Sequence, residues 1–242
     1  MSLPPSEQTI AIIGGTSLLE SPLFHDARRF SVETPYGEVE LLEKEQLLFL
    51  QRHGLKSYTP PHRIDHRANM AALKAHGATH IMAVGSVGSM RVDYPPGTVL
   101  VPDDFLGLQV TESFYDDARG HQVPGFAMAW RQRLLDCWPQ SEMSIPVING
   151  GVYWQTRGPR FETPAEIRMH QPYSDVVGMT VASECLLARE LEMAYAAICI
   201  IDNYANGVSD EPLTYEAFKS KVAENEARLG SLLLALMERL TA

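Results

Sequence analysis

The sequence predicts an α/β protein: a single domain over residues 1–242 with a central mixed β-sheet flanked by helices. Three observations lead there. Short apolar runs alternate with helix-patterned segments along the whole chain, the order expected where helices cover a sheet. Several of those runs end in glycine-rich or polar clusters, and ligands in open α/β sheets gather at the carboxyl ends of strands. No internal repeat, low-complexity tract or convincing linker divides the chain.

Taken in order, residues 9–13 form a buried strand running into Gly14-Gly15-Thr16-Ser17. Such a turn can aim backbone N–H groups and a hydroxyl at an anion, although many strands simply end in glycine. Glu33-Thr34-Pro35-Tyr36-Gly37 is a turn between two strands, and residues 46–51 form the next strand. That strand delivers Arg52-His53-Gly54 at its end. A forked, permanently charged donor beside a titratable one suits a phosphate, while a surface arginine next to a packed histidine is the plainer account of the pair alone. Pro60-Pro61-His62 bounds an extended loop before a helix over residues 64–76, stopped by Gly77. Residues 80–84 are a further buried strand, expected to end in Gly85-Ser86-Val87-Gly88-Ser89, which repeats the first glycine-rich strand end.

Pro95-Pro96-Gly97 turns into a strand over residues 98–101. Residues 111–126 are polar with Gly and Pro, a long excursion of the kind that closes over a site or a neighbouring subunit. A helix over 128–138 and a strand over 151–154 follow, then a short strand over 175–179 ending at Thr180. Residues 182–192 are helical, with Leu186, Leu187 and Ala188 turned inward. The last long strand, residues 195–201, ends in Asp202-Asn203-Tyr204-Ala205-Asn206-Gly207. Residues 214–240 form a long helix burying Phe218, Val222, Leu229, Leu232, Leu233, Leu236 and Leu240.

The stretch from Gln155 to Glu166 carries the most specific local signal. Gly158 and Pro159 turn the chain, Thr163 stands three residues before Glu166 in capping-box spacing, and Pro164 takes the first helical position. Arg160, Phe161 and Glu162 are thereby lifted out at a helix start. An aromatic and an acid there make a clamp for a flat, hydrogen-bonding ring; an ordinary loop with a solvated glutamate fits the same residues.

Composition bounds the partners. A 45% hydrophobic and 21% charged chain is globular in type, and a net charge of −10 argues against nucleic acid or an anionic membrane as partner. Cys137, Cys185 and Cys199 show no metal or redox spacing, which suggests reduced core thiols and a cytoplasmic setting. Residues 1–9 have no signal-peptide pattern, and no stretch reaches membrane-spanning length.

Together the pieces resemble the trimeric purine nucleoside phosphorylase and methylthioadenosine phosphorylase family. The matching motifs are Ile-Ile-Gly-Gly-Thr (12–16), Thr-Pro-Tyr-Gly (34–37), Arg-His-Gly (52–54), Pro-Gly-Thr (96–98), Ser-Phe-Tyr-Asp (113–116), Gly-Pro-Arg-Phe-Glu-Thr (158–163) and Gly-Met-Thr (178–180), in family order. The resemblance implies a nucleoside phosphorylase fold, phosphate as co-substrate with no cofactor or metal, and a homotrimer acting in purine salvage. It assigns Thr16, Arg52, His53, Ser86 and Thr180 to phosphate, Met179 to the underside of the ribose, and Phe161, Glu162, Asn203 and Ala205 to the base and its departure.

Members that cleave methylthioadenosine carry serine after the pocket phenylalanine and a Thr-Asp-Tyr-Asp run; this chain has Glu162 and Asp202-Asn203-Tyr204-Ala205. The Glu–Asn pair looks like the 6-oxopurine type, since a carboxylate accepts the N1–H that hypoxanthine and guanine have and adenine lacks. A register slip by one would put Asp202 in the place of Asn203. Toward the 5′ group the resemblance points to Ser57, Tyr215 and, from a neighbouring subunit, Gln122. S-methyl-5′-thioinosine, inosine and guanosine all stay open as substrates. So do a methylthioadenosine phosphorylase, a nucleosidase using water, and a non-catalytic nucleoside-binding protein.

Overall fold

A computed structural model describes residues 8–15, 18, 24, 26–139 and 145–241, with the side chains of residues 217 and 226–229 left aside. In chain order the strands are β1 (Ile10–Gly14), β2 (Arg28–Thr34), β3 (Gly37–Lys44), β4 (Leu47–Gln51), β5 (His80–Ser89), β6 (Val99–Val101), β7 (Asp104–Leu106), β8 (Val147–Asn149), β9 (Val152–Gln155), β10 (Val176–Gly178) and β11 (Ala194–Tyr204). The helices are α1 (His66–Ala75), α2 (Met128–Asp136), α3 (Pro164–His170), α4 (Val181–Glu190) and α5 (Tyr215–Thr241). All eleven strands join one mixed sheet, so the expected architecture is what the chain adopts.

Strand alternation builds the layers. Ile10 and Ile12 face one way, into a core shared with Trp130 and Leu134 of α2 and Leu233 and Leu236 of α5. Ala11 and Ile13 face the other, against Ala72 and Leu73 of α1 and Leu187 and Ala188 of α4. No helix of the described residues is long and apolar enough to cross a membrane.

The centre of the sheet opens beside β5. Its first half pairs in parallel with β1, from Ile10 opposite His80 to Ile13 opposite Ala83. Its far end pairs antiparallel with β10, Gly88 opposite Val177 and Ser89 opposite Val176. Between them, among the described residues, Val84 to Val87 have no strand partner on that edge. The other edge is held along its length by β11. Strands that diverge in this way leave a crevice at their carboxyl ends, where ligands of open α/β sheets bind.

Three expectations need correction. β5 and β11 do not stop at Val84 and Ile201; they pair with each other as far as Ser89 and Tyr204, a one-residue bulge at Asp202 absorbing the shift of register. The three-residue strands β7 and β8 are too short to leave a periodic pattern. Leu186 and Phe218 are only partly buried, while Glu184, two residues before Leu186, is buried. The side chain of Leu229 lies outside the described residues. Residues 111–126 are irregular apart from a single 3-10 turn, Ala118–Gly120.

Candidate active site

A cavity of about 500 Å³ lies where β4, β5, β10 and β11 end, roofed by the segment before α3 and by the first turns of α5. One end is cationic. Arg52 follows β4 and is almost wholly buried, its Nε and Nη2 donating to the two carboxylate oxygens of Glu184 at 2.7 and 2.9 Å, and Nη1 to the carbonyl of Val84 at 2.6 Å. Tyr195 adds a hydrogen bond to Glu184 at 2.7 Å. Burial opposes charge on both members, and their mutual attraction offsets it, so Arg52 is held above the ordinary arginine range and Glu184 below the usual carboxylate range. The guanidinium comes close to the turn after β1 because Gly15 has no side chain; a Cβ there would stand 2.6 Å from Nη1.

His53 sits beside it with Nδ1 2.8 Å from the carbonyl of Thr59. Burial, reinforced by the neighbouring Arg52, pushes its pKa down to about 4 despite that bond, so the ring is neutral near pH 7. A carbonyl can only accept; Nδ1 therefore carries the hydrogen and Nε2 is an acceptor. Ser86 donates its hydroxyl hydrogen to Asp202. Thr180, at the N-cap of α4, completes this end. Thr16 lies outside the described residues.

Elsewhere the lining is largely apolar, with Glu162 and Asn203 as polar groups. The chain enters this region through Gly158, at φ +63°, where a side chain would collide with Met179 (2.5 Å to Sδ). Thr163 and Glu166 form the capping box expected at the start of α3. Phe161 stands edge-on to Phe218 of α5, ring centres 5.5 Å apart. Glu162 is buried, and Thr156 donates to its Oε1 at 2.6 Å. Burial raises the Glu162 pKa above the usual carboxylate value, against the pull of the Thr156 bond. Asn203 gives one amide hydrogen to the carbonyl of Tyr204 at 2.7 Å, leaving the second hydrogen and Oδ1 for a ligand. Met179, Asn203 and Ala205 line the cavity with Phe161 and Glu162.

The fold thus brings Arg52, His53, Ser86, Phe161, Glu162, Met179, Thr180, Asn203, Ala205 and Tyr215 to one cavity. Ser57 does not join them. It is exposed, since the loop after Gly54 is closed by the Thr59 N–H bonding to the carbonyl of His53, and Tyr58, though 60% exposed, is the residue that lines the cavity, stacked on His53 at 5.1 Å. Gln122 does not line this chain's own cavity; its amide donates to the carbonyl of Arg119. The carboxylate of Asp202 is fully buried and is not part of the lining. Sequence reading missed Glu184, Tyr58, Leu213 and Lys219. Glu184 alone left a trace, as an acid among apolar helix residues. Of the cysteines, Cys185 and Cys199 are buried and Cys137 is only half-buried, because it lies just past the end of α2.

A model of the family described as the Phosphorylase superfamily matches residues 9–238. A protein of Archaeoglobus fulgidus named "Probable 6-oxopurine nucleoside phosphorylase" is 40% identical over 220 residues, covering 89% of this chain and 90% of that protein. One of Methanocaldococcus jannaschii named "Probable S-methyl-5'-thioinosine phosphorylase" is 38% identical over 227 residues, covering 91% and 88%. Among solved structures, methylthioadenosine phosphorylase from Schistosoma mansoni in complex with adenine superposes with a TM-score of 0.82 at 26% identity, over 96% of this chain and 91% of that one.

Proposed function

Because the chain belongs to the phosphorylase superfamily, we propose that it cleaves 6-oxopurine nucleosides by phosphorolysis, releasing the free base and (5-methylthio)ribose 1-phosphate or ribose 1-phosphate. One observation carries the reading: Arg52, anchored by Glu184, lines the same cavity as Glu162 and Asn203. An anion held by Arg52, His53, Ser86 and Thr180 would lie on the far side of the sugar from a base held by Phe161, Glu162 and Asn203. Glycosidic cleavage passes through an oxocarbenium-like state, so a bound phosphate supplies charge where cationic character develops and then bonds to C1′. Asn203 donates to O6 and accepts N7–H as the base departs; Met179 packs beneath the ribose. Phosphate is a co-substrate and no cofactor is called for. Toward the 5′ group, Leu213, Tyr215 and Phe218 offer largely apolar walls, which favours S-methyl-5′-thioinosine over inosine and guanosine. Three free cysteines suit the reducing cytoplasm.

Base release should depend on phosphate. Assays of inosine, guanosine, adenosine, S-methyl-5′-thioinosine and methylthioadenosine are expected to show turnover of the oxopurines with phosphate or arsenate and none in phosphate-free buffer. Equal release without phosphate would reject phosphorolysis in favour of hydrolysis.

We also propose a homotrimer in which residues 111–126, with Gln122, complete a neighbour's site. Leu108, Val123, Met169 and Tyr173 are 69–78% exposed, apolar surface that a neighbouring subunit could cover. Light scattering should give three chains per particle; an active monomer at assay concentration would end this proposal.

A further inference from the structure

The reaction outlined above gives Asp202 no role. It lies at a bulge in β11, between Ile201 opposite Val87 and Asn203 opposite Gly88. Its carboxylate is fully buried and accepts two hydrogen bonds from different parts of the molecule. Oδ2 takes the hydroxyl hydrogen of Ser86 on β5, and Oδ1 takes an amide hydrogen of Asn225 on α5 at 2.7 Å. Although burial raises its pKa to about 6, the group is chiefly ionised at neutral pH, and an ionised carboxylate can serve both donors.

The two donors belong to different elements bordering the cavity, β5 and α5. Ser86 is at the anion end. Asn225 is two helical turns beyond Phe218 and so on the same face of α5; Tyr215, Phe218 and Lys219 of that helix line the nucleoside end. A hydrogen bond from Asn225 to a buried carboxylate fixes the rotation of α5 about its axis. With it are fixed the Phe218 ring and its edge-on contact with Phe161. Threonine at this position would have a single uncharged oxygen, where Asp202 offers Ser86 and Asn225 one oxygen each.

We propose that Asp202 is a positioning residue that couples the two ends of the site, orienting Ser86 toward the anion while seating α5 against the nucleoside. Resting on the phosphorolytic reading, the coupling makes the two substrates bind cooperatively. Because its one hydrogen is committed to Asp202, Ser86 meets the anion as an acceptor, taking its hydrogen bond from a P–OH of protonated phosphate.

The test uses Asn225→Leu, which cuts the link at α5 with little change in volume and leaves the cavity lining intact, together with Ser86→Ala, Asp202→Thr and the double variant Ser86→Ala/Asn225→Leu. Initial rates over a grid of phosphate and nucleoside concentrations give both KM values, and melting curves monitor folding separately. Asn225→Leu should raise KM for the nucleoside and for phosphate by about tenfold each, within the range of coupling energies between residues of one hydrogen-bond network. The double variant should show a phosphate KM well below the product of the single effects, since both changes act through one carboxylate. If Asn225→Leu lowers only the melting temperature and leaves both KM values within about twofold, or if the two effects multiply, the coupling is refuted. Should Asp202→Thr fail to fold, the Asn225 and Ser86 variants decide the matter without it. Failure of the phosphorolytic reading is recognised separately, by wild-type base release without phosphate; the nucleoside KM of Asn225→Leu still tests the seating of α5.

Discussion

Arg52→Ala is expected to lose nearly all phosphate-dependent cleavage and to melt well below the wild type. Both effects come from one ion pair. Arg52 and Glu184 have side chains 1% exposed, and removing one partner of a buried pair leaves an uncompensated charge, at a cost of about 3–5 kcal/mol. For a chain of this size that is a fall of roughly 10 °C in Tm. At the same time the anion end loses its fixed cation, and lost electrostatic stabilisation of this kind costs roughly 10²–10³-fold in turnover. The double variant Arg52→Met/Glu184→Leu separates the two consequences. With both charges gone it should recover much of the stability, yet remain inactive at any phosphate concentration. Melting curves and phosphate saturation kinetics on the three proteins read this directly. An Arg52→Ala enzyme with wild-type KM for phosphate would remove Arg52 from the anion site.

Base choice is expected to invert when the pair at the other end is changed. Asn203→Asp replaces a side chain that donates and accepts by one that, ionised, only accepts. It should repel O6 and receive the amino group of adenine, lowering kcat/KM for inosine and S-methyl-5′-thioinosine and raising the adenine-type activity from near zero. Mismatched buried polar groups discriminate by as much as about 10⁴-fold. The ratio of kcat/KM for S-methyl-5′-thioinosine over methylthioadenosine, and of inosine over adenosine, should therefore move by orders of magnitude. Glu162→Gln should weaken the oxopurines alone, by about 1.5–3 kcal/mol for a lost charged hydrogen bond. Acidification offers an independent check. Glu162 must be ionised to accept N1–H, and burial raises its pKa, so oxopurine kcat/KM should fall off at a higher pH than an ordinary carboxylate would impose, and Glu162→Gln should lack that limb. A wild type that prefers the adenine member of either pair, or an Asn203→Asp variant with unchanged ratios, would overturn the assignment.

What could be read without the fold was whatever is written in neighbouring residues. Strand and helix periodicity, the capping box of Thr163 and Glu166, and the turn at Gly158 depend on interactions within a few positions, and each is present in the structure. The residues gathered at strand ends were legible for the same reason, because a parallel strand presents its last residues at one edge of the sheet wherever the strand is placed. The partners of those residues were not. Arg52 is paired with a residue 132 positions away, and nothing near either one marks the other. Whether Asp202 or Asn203 faces the cavity turns on a bulge one residue long, and a shift of one residue in a strand exchanges its two faces. Ser57 and Tyr58 are likewise neighbours, and only the closure of their loop decides which lines the cavity. The sequence by itself determined the class of fold and the chemical groups brought to the site. Tertiary structure decided which of those groups stay free for a ligand and which are spent on one another, because buried polar atoms must find partners and those partners come from distant strands and helices.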